Sequence, residues 1–144
     1  MPELPEVETS CQGIAPYIEG HCIESVSIRT PALRWPIPPT LANSLIGLKI
    51  ERVSRRGKYL LLASSSGTLL IHLGMSGSLR ILPSNTPVNK HDHADFIFDH
   101  GSTLRFNDPR RFGAILWTTS PIDEHPLLKN LGPEPLLDGF NADY

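Results

Sequence analysis

The chain has 144 residues, enough for one domain with its own core, and its 40% hydrophobic and 19% charged content is that of a globular protein rather than a disordered one. Two cysteines, Cys11 and Cys22, are too few for a disulfide scaffold and too far apart for a paired metal motif, which points to a reducing cytoplasmic compartment. The start Met1–Glu6 is acidic and proline-broken, unlike a secretory signal, and no apolar run reaches the length of a membrane span.

The formal net charge of -2 argues against a nucleic-acid partner when taken in bulk. Its distribution argues the other way. Residues 1–51 carry three Lys/Arg against six Asp/Glu and residues 112–144 one against five, whereas residues 52–111 carry nine against four, with four of the six histidines. Such segregation can build a basic face on an acidic protein, or can fold into a mixed solvated surface.

In chain order, Val7, Cys11, Ile14, Ala15 and Ile18 recur at helical spacing. Pro5 suits a first turn, Glu6 and Glu8 complement the positive end of the dipole, and Gly20 is a stop, so a helix is expected over about 5–19. Strands are expected at Cys22–Arg29, Leu48–Arg55, Tyr59–Ala63, Thr68–Leu73, Ser78–Leu82, Ala94–Asp99, Thr103–Phe106 and Ala114–Thr118, separated by Gly, Ser, Asn and Pro turn signals. Residues 30–39, with four prolines, read as an irregular loop, and a short helix is expected at Thr40–Leu45. From Ser120 onward the strand pattern fades. Short strands with this punctuation predict a mainly β, α+β domain: an antiparallel β-sandwich with an N-terminal α-helix.

Five places could carry chemistry. Removal of Met1 would leave Pro2 as the amino terminus, a secondary amine that titrates near the α-amino range of about 7.7–8.0 and is partly nucleophilic at neutral pH. Such an amine forms iminium ions with aldehydic carbons. Glu3 and Glu6 beside it fit proton donation and water orientation, although glutamates in a first turn are ordinarily caps. Lys58 follows Arg55-Arg56-Gly57 at the mouth of an apolar strand, as a phosphate contact, a proton donor or a plain strand-end charge. Met75 is bracketed by Gly74 and Gly77 and either wedges into a base stack or folds back on the core. Asn107-Asp108-Pro109-Arg110-Arg111-Phe112-Gly113 sets two arginines beside an aromatic ring, a phosphate clamp or a basic hairpin tip. In Lys90-His91-Asp92-His93, a metal site would lack completing ligands, so a phosphate-contacting loop is preferred.

Taken together, Met1–Thr9, Leu33–Pro36, Lys58–Leu61, Ile71–Arg80, Lys90–His93, Asp108–Gly113 and Leu131–Leu136 resemble the formamidopyrimidine-DNA glycosylase family, in the family's order and across essentially the whole chain. The resemblance implies Pro2 as the nucleophile at the sugar anomeric carbon, Glu3 as general acid, Glu6 as a supporting carboxylate and Lys58 as a phosphate contact and proton donor. It implies DNA contacts by His72, His91, Arg110 and Arg111, with Met75, Arg110 and Phe112 filling the void left by an extruded base. The implied activity is removal of 8-oxoguanine or formamidopyrimidines from double-stranded DNA, followed by β- and δ-elimination at the abasic site. A two-layered β-sandwich with an N-terminal helix is the implied fold.

The resemblance also implies that residues 1–144 form a single N-terminal catalytic domain. Relatives continue into a helix–two-turn–helix region and a four-cysteine finger holding one zinc ion, so the chain is expected to be a fragment, to hold no cofactor itself and to be nearly inactive alone. A monomer with no membrane association, working on nucleoid DNA, is expected. Two other readings remain: an endonuclease VIII-like enzyme for oxidised pyrimidines, disfavoured by Leu4, Met75, Arg110 and Phe112, and a non-catalytic DNA-binding module. A tautomerase would start on a strand, not a helix. If Met1 is retained, the Pro2 nitrogen lies in a peptide bond and cannot react.

Overall fold

The computed structural model describes residues 4–119, with side chains from residue 7 onward. Pro2, Glu3 and the Leu131–Leu136 motif lie outside the described residues, as does the side chain of Glu6. The elements are α1 (Leu4–Ile18), β1 (Ile23–Ile28), α2 (Leu41–Leu45), β2 (Arg52–Arg56), β3 (Tyr59–Ala63), β4 (Thr68–His72), β5 (Ser78–Pro83), β6 (Asp92–Phe98), β7 (Ser102–Asn107) and β8 (Ala114–Thr118). They form two four-stranded sheets, β1-β6-β7-β5 and β2-β3-β4-β8, antiparallel at every pairing. The sandwich with an N-terminal helix read from the sequence is the observed fold.

Both helices and both sheets contribute to one core. Val7, Cys11, Ile14 and Ile18 form the buried stripe of α1, and Leu41 and Leu45 anchor α2. Leu60, Leu62, Leu69, Ile71 and Ile115 from one sheet join Ala94, Phe96, Phe98, Leu104 and Phe106 from the other. The alternate residues Leu61 and Leu70 form a second cluster with Tyr59 and Leu116. Strands β3 and β4 are therefore apolar on both faces, which explains why Tyr59–Ala63 and Thr68–His72 read as continuous runs instead of alternating ones.

Boundaries differ by more than one residue at two strands. The second begins at Arg52, not Leu48: Lys49 makes an isolated bridge to Cys22, and the Ile50 carbonyl accepts from the Gly20 N–H, so the chain is still tied to the β1 side there. The sixth begins at Asp92, not Ala94, because Asp92 pairs with Asn107 ahead of a register shift. The Lys90–His93 segment is thus half strand, and His93 is buried within it. Its Nδ1 lies 2.6 Å from Thr30 Oγ1 and its Nε2 2.8 Å from the Asp108 carbonyl. The ring is a structural strut, not a surface phosphate contact.

The basic excess of residues 52–111 is also partly internal. Arg105 is sealed in the core against Asp95, at 2.8 Å, and donates to the Thr86 and Pro87 carbonyls. Arg55 is held by Glu8 of α1 at 2.7 Å, with its side chain 5% exposed. Those charges organise the fold and add little to the surface field.

Candidate nucleic-acid interface

Topology sets two turns side by side. The chain leaves β4 in one sheet and enters β5 in the other through residues 73–77; it leaves β7, the neighbour of β5, and enters β8, the neighbour of β4, through residues 108–113. The two crossovers must therefore run together at one edge of the sandwich. They touch backbone to backbone. A Cβ on Gly74 would lie 2.6 Å from the Gly113 nitrogen and the Phe112 carbonyl carbon, and one on Gly113 would lie 2.5 Å from the His72 oxygen.

Side chains lock the pair. Asp108, wholly buried, accepts from Ser76 Oγ at 2.8 Å through one carboxylate oxygen and from the Gly113 N–H at 2.8 Å through the other. The Ser76 oxygen in turn accepts from the Arg110 N–H. The His93 strut donates through Nε2 to the Asp108 carbonyl, and the Asp108 N–H donates to the His91 carbonyl, so three segments converge under one turn. Arg111 takes a left-handed backbone, φ 58°, as the turn reverses.

Above this framework lies an open groove of about 600 Å³ lined by Leu33, Arg34, Gly74, Met75, Arg111 and Phe112. Met75 and Phe112 are 51% and 48% exposed, a large apolar presentation for two adjacent turns. Arg110, also exposed, reaches the Met75 sulfur at 3.8 Å. Arg34 enters from the proline-rich loop: its N–H donates to the Gly113 carbonyl and its guanidinium sits 5.2 Å over the Trp35 ring. Three arginines flanking two exposed apolar side chains suit phosphates beside unstacked bases.

Beneath the groove, His72 at the end of β4 is 5% exposed. Burial, reinforced by the nearby Arg34 and Lys58 cations, holds its imidazole below the ordinary histidine range. The Gly74 N–H donates to its Nδ1 at 3.0 Å, so the ring proton belongs on Nε2. His72 is therefore a neutral Nε2–H donor. Its ring meets Tyr59 edge to face at 4.9 Å, and burial raises the Tyr59 hydroxyl, which stays protonated. Lys58 follows Gly57, whose φ of 61° turns β2 into β3. Glu8 of α1 binds Arg55, whose guanidinium also reaches the Gly57 carbonyl at 3.3 Å, so the first turns of α1 lie at the Lys58 end of the sheet.

Of the residues expected to act, Met75, Arg110, Arg111 and Phe112 thus meet at one rim, with His72 below and Lys58 within electrostatic reach of it. His91 is half-buried at the same end, joined to the turn through its carbonyl. Pro2, Glu3 and the Glu6 side chain are outside the described residues. Sequence reasoning missed Arg34, Ser76, Asp108 and Tyr59 as parts of this site. Arg34 carried a signal in its adjacency to Trp35; the roles of Ser76 and Asp108 depend on a contact 32 residues apart.

This architecture is that of crystallised DNA glycosylases. The Lactococcus lactis formamidopyrimidine-DNA glycosylase, solved non-covalently bound to DNA containing an AP site, superposes with a TM-score of 0.76 at 33% identity, over 82% of this chain and 45% of that one. The same enzyme in complex with DNA containing FAPY-dG gives 0.75 at 33% identity, over 82% and 44%. The family described as formamidopyrimidine-DNA glycosylase N-terminal domain matches residues 1–115, and the chain belongs to that family. It is 57% identical to the formamidopyrimidine-DNA glycosylase of Hydrogenovibrio crunogenus over 144 residues, all of this chain and 51% of that protein. Identity to the Shewanella amazonensis enzyme is 58%, over all of this chain and 53% of that protein. The chain spans about half the length of the curated relatives it matches. No helix among the described residues is long and apolar enough to cross a membrane.

Proposed function

We propose that this chain supplies the nucleophile-bearing domain of a DNA glycosylase and abasic-site lyase acting on oxidised purines, 8-oxoguanine and formamidopyrimidines, in double-stranded DNA. The observation that carries the reading is the shared rim of Met75, Arg110, Arg111 and Phe112, with neutral His72 and Lys58 below and the start of α1 at the same end. Relatives whose names and bound DNA are those of such enzymes support it.

In this reading Met75 and Phe112 occupy the hole left by the extruded nucleotide, and Arg110 engages the orphaned base. Arg110, Arg111, His91 and the His72 Nε2–H hold the flanking phosphates. The Pro2 nitrogen, freed by removal of Met1, uses its lone pair to form a bond to the anomeric carbon as the glycosidic bond breaks and the base departs. Glu3 delivers a proton as the sugar ring opens to an iminium ion, and Glu6 supports the pocket. Lys58 donates a proton during the eliminations that release the strand ends, after which water hydrolyses the iminium. The choice of oxidised purines over oxidised pyrimidines in this reading rests on the family resemblance at Leu4, Met75, Arg110 and Phe112, which favours the purine branch.

The remaining half of the relatives' length is where the resemblance puts the helix–two-turn–helix region and the zinc ion, so residues 1–144 alone should bind DNA weakly. The enzyme should act as a monomer on nucleoid DNA. Borohydride reduction of the full-length protein with an 8-oxoguanine duplex tests the mechanism. A covalent adduct mapping by peptide mass to residue 2 is the expected result; an adduct on a lysine, or none, overturns it.

A further inference from the structure

A second cluster lies away from the groove. His21 sits in the turn between α1 and β1, where Gly20 takes φ 86°, and Asp99 and His100 sit in the β6–β7 hairpin, where Gly101 takes φ 88°. Antiparallel pairing of Ile23 with Phe98 brings these two reversals together. The Cys22 N–H donates to one Asp99 oxygen at 3.1 Å, which fixes the carboxylate. The other oxygen faces both rings, at 3.0 Å from His21 Nδ1 and 3.7 Å from His100 Nδ1. The imidazoles stack with centroids 3.8 Å apart and planes 15° from parallel. All three ligand atoms lie within 4.8 Å of one another, and the side chains are 37%, 42% and 29% exposed for His21, Asp99 and His100.

One proton shared with His21 accounts for a single contact to this oxygen. It leaves a second Nδ1 facing the same anion in a stacked pair, and a cation at the common focus would satisfy all three atoms at once. Two imidazoles and one carboxylate suit zinc, nickel or copper, with water filling the open positions. Ligand distances of about 2.0–2.2 Å would need the two stacked rings, whose planes are 15° from parallel, to swing about their side-chain torsions until both in-plane lone pairs meet at one point. Exposed turns allow that movement.

We propose that His21, Asp99 and His100 form a surface site for a divalent first-row transition ion, distinct from the nucleic-acid groove. Strand β7 runs from this hairpin to Asn107 beside the Arg110 turn, so roughly 17 Å of strand separates the two. Occupancy would cross-link the α1–β1 turn to the β6–β7 hairpin and stiffen that end of the sheet.

Calorimetric titration of the metal-stripped 144-residue chain with zinc chloride tests this. One equivalent is expected, and His21→Ala or His100→Ala should each weaken it at least about tenfold, since loss of mere outer-shell partners costs that much. In the unaltered chain, the imidazole resonances of His21 and His100 should shift together on zinc addition while those of His72 stay in place. Absence of saturable binding overturns the proposal. So does undiminished binding by the His21→Ala, His100→Ala double variant, or a shift confined to other histidines.

Discussion

Ser76 Oγ donates a 2.8 Å hydrogen bond to Asp108, 32 residues further along the chain, and so ties the Met75 turn to the turn that carries Arg110 and Phe112. Both partners belong to crossovers between the sheets, so the bond fixes the spacing of the two turns that line the groove. Asp108→Ala removes it and also leaves the buried Gly113 N–H without its acceptor, at a cost of about 3 kcal/mol in urea unfolding. Ser76→Ala should cost about 1 kcal/mol. The double variant should fall short of the sum by about 1 kcal/mol. Strict additivity would show that the two side chains do not act together.

His72 gives a second prediction. Its depressed pKa means that the folded state resists protonation more than the unfolded chain does. Stability from this site is complete above the unfolded value, about 6.5, and is lost as pH falls below it. NMR titration of its ring protons should give a midpoint below 6.5, and His72→Gln should flatten the loss of stability between neutral pH and about pH 5. A midpoint at or above 6.5 would contradict the neutral Nε2–H donor.

The framework was legible in the sequence because local signals agreed with the fold. The Val7–Ile18 stripe, the glycines at Gly57 and Gly101 and the apolar runs of β3 and β4 report their own environment within a few residues. Local sequence singled out the rim residues, Met75 between glycines and Arg110-Arg111-Phe112 on one turn, but left their exposure and role open; only the family resemblance gave them a place on DNA. Networks closed over long separations were not legible. His93 read as part of a phosphate-contacting loop, yet Thr30 and the Asp108 carbonyl claim both of its nitrogens. Arg105 counted towards a basic face, yet lies in the core, and no spacing rule separates such an arginine from a surface one.

That arginine also bears on the acid response. Burial alone would raise the Asp95 carboxyl, but hydrogen bonds from Arg105 and Arg29 outweigh it and hold the group below the usual carboxylate range. For Asp92, burial is likewise outweighed by Asn107, the Asn89 N–H, Arg105 and Arg80. Their stabilisation is present above about pH 3.9 and is lost as pH falls through the lower folded values. Asp95→Asn should cost about 3–5 kcal/mol at neutral pH, because it strands a buried guanidinium. It should also show a shallower fall in stability between about pH 5 and pH 2 than the unaltered chain. An equal slope in the two proteins would assign acid sensitivity to other carboxylates.

Two glycines at first sight alike should respond oppositely to alanine. Gly13 lies within α1, and a Cβ there meets nothing within 4 Å. Gly13→Ala should therefore stabilise the chain by about 0.5–1 kcal/mol through lower unfolded-state entropy and better helix propensity. Gly113 is caged: a new methyl would lie 2.5 Å from the His72 carbonyl oxygen, 2.8 Å from the Phe106 ring and 2.9 Å from the Asp108 carboxylate. The first is backbone in a paired strand, and the last is pinned by Ser76, so neither can yield without moving the crossover. Gly113→Ala should cost about 1–3 kcal/mol. It should also weaken DNA binding by the full-length protein, because the displaced turn carries Arg111 and Phe112. Thermal melts of both variants, with duplex affinity measured alongside, decide the matter. A Gly113→Ala protein with unchanged melting and unchanged affinity would mean that the two turns are not held by the contact on which the groove depends.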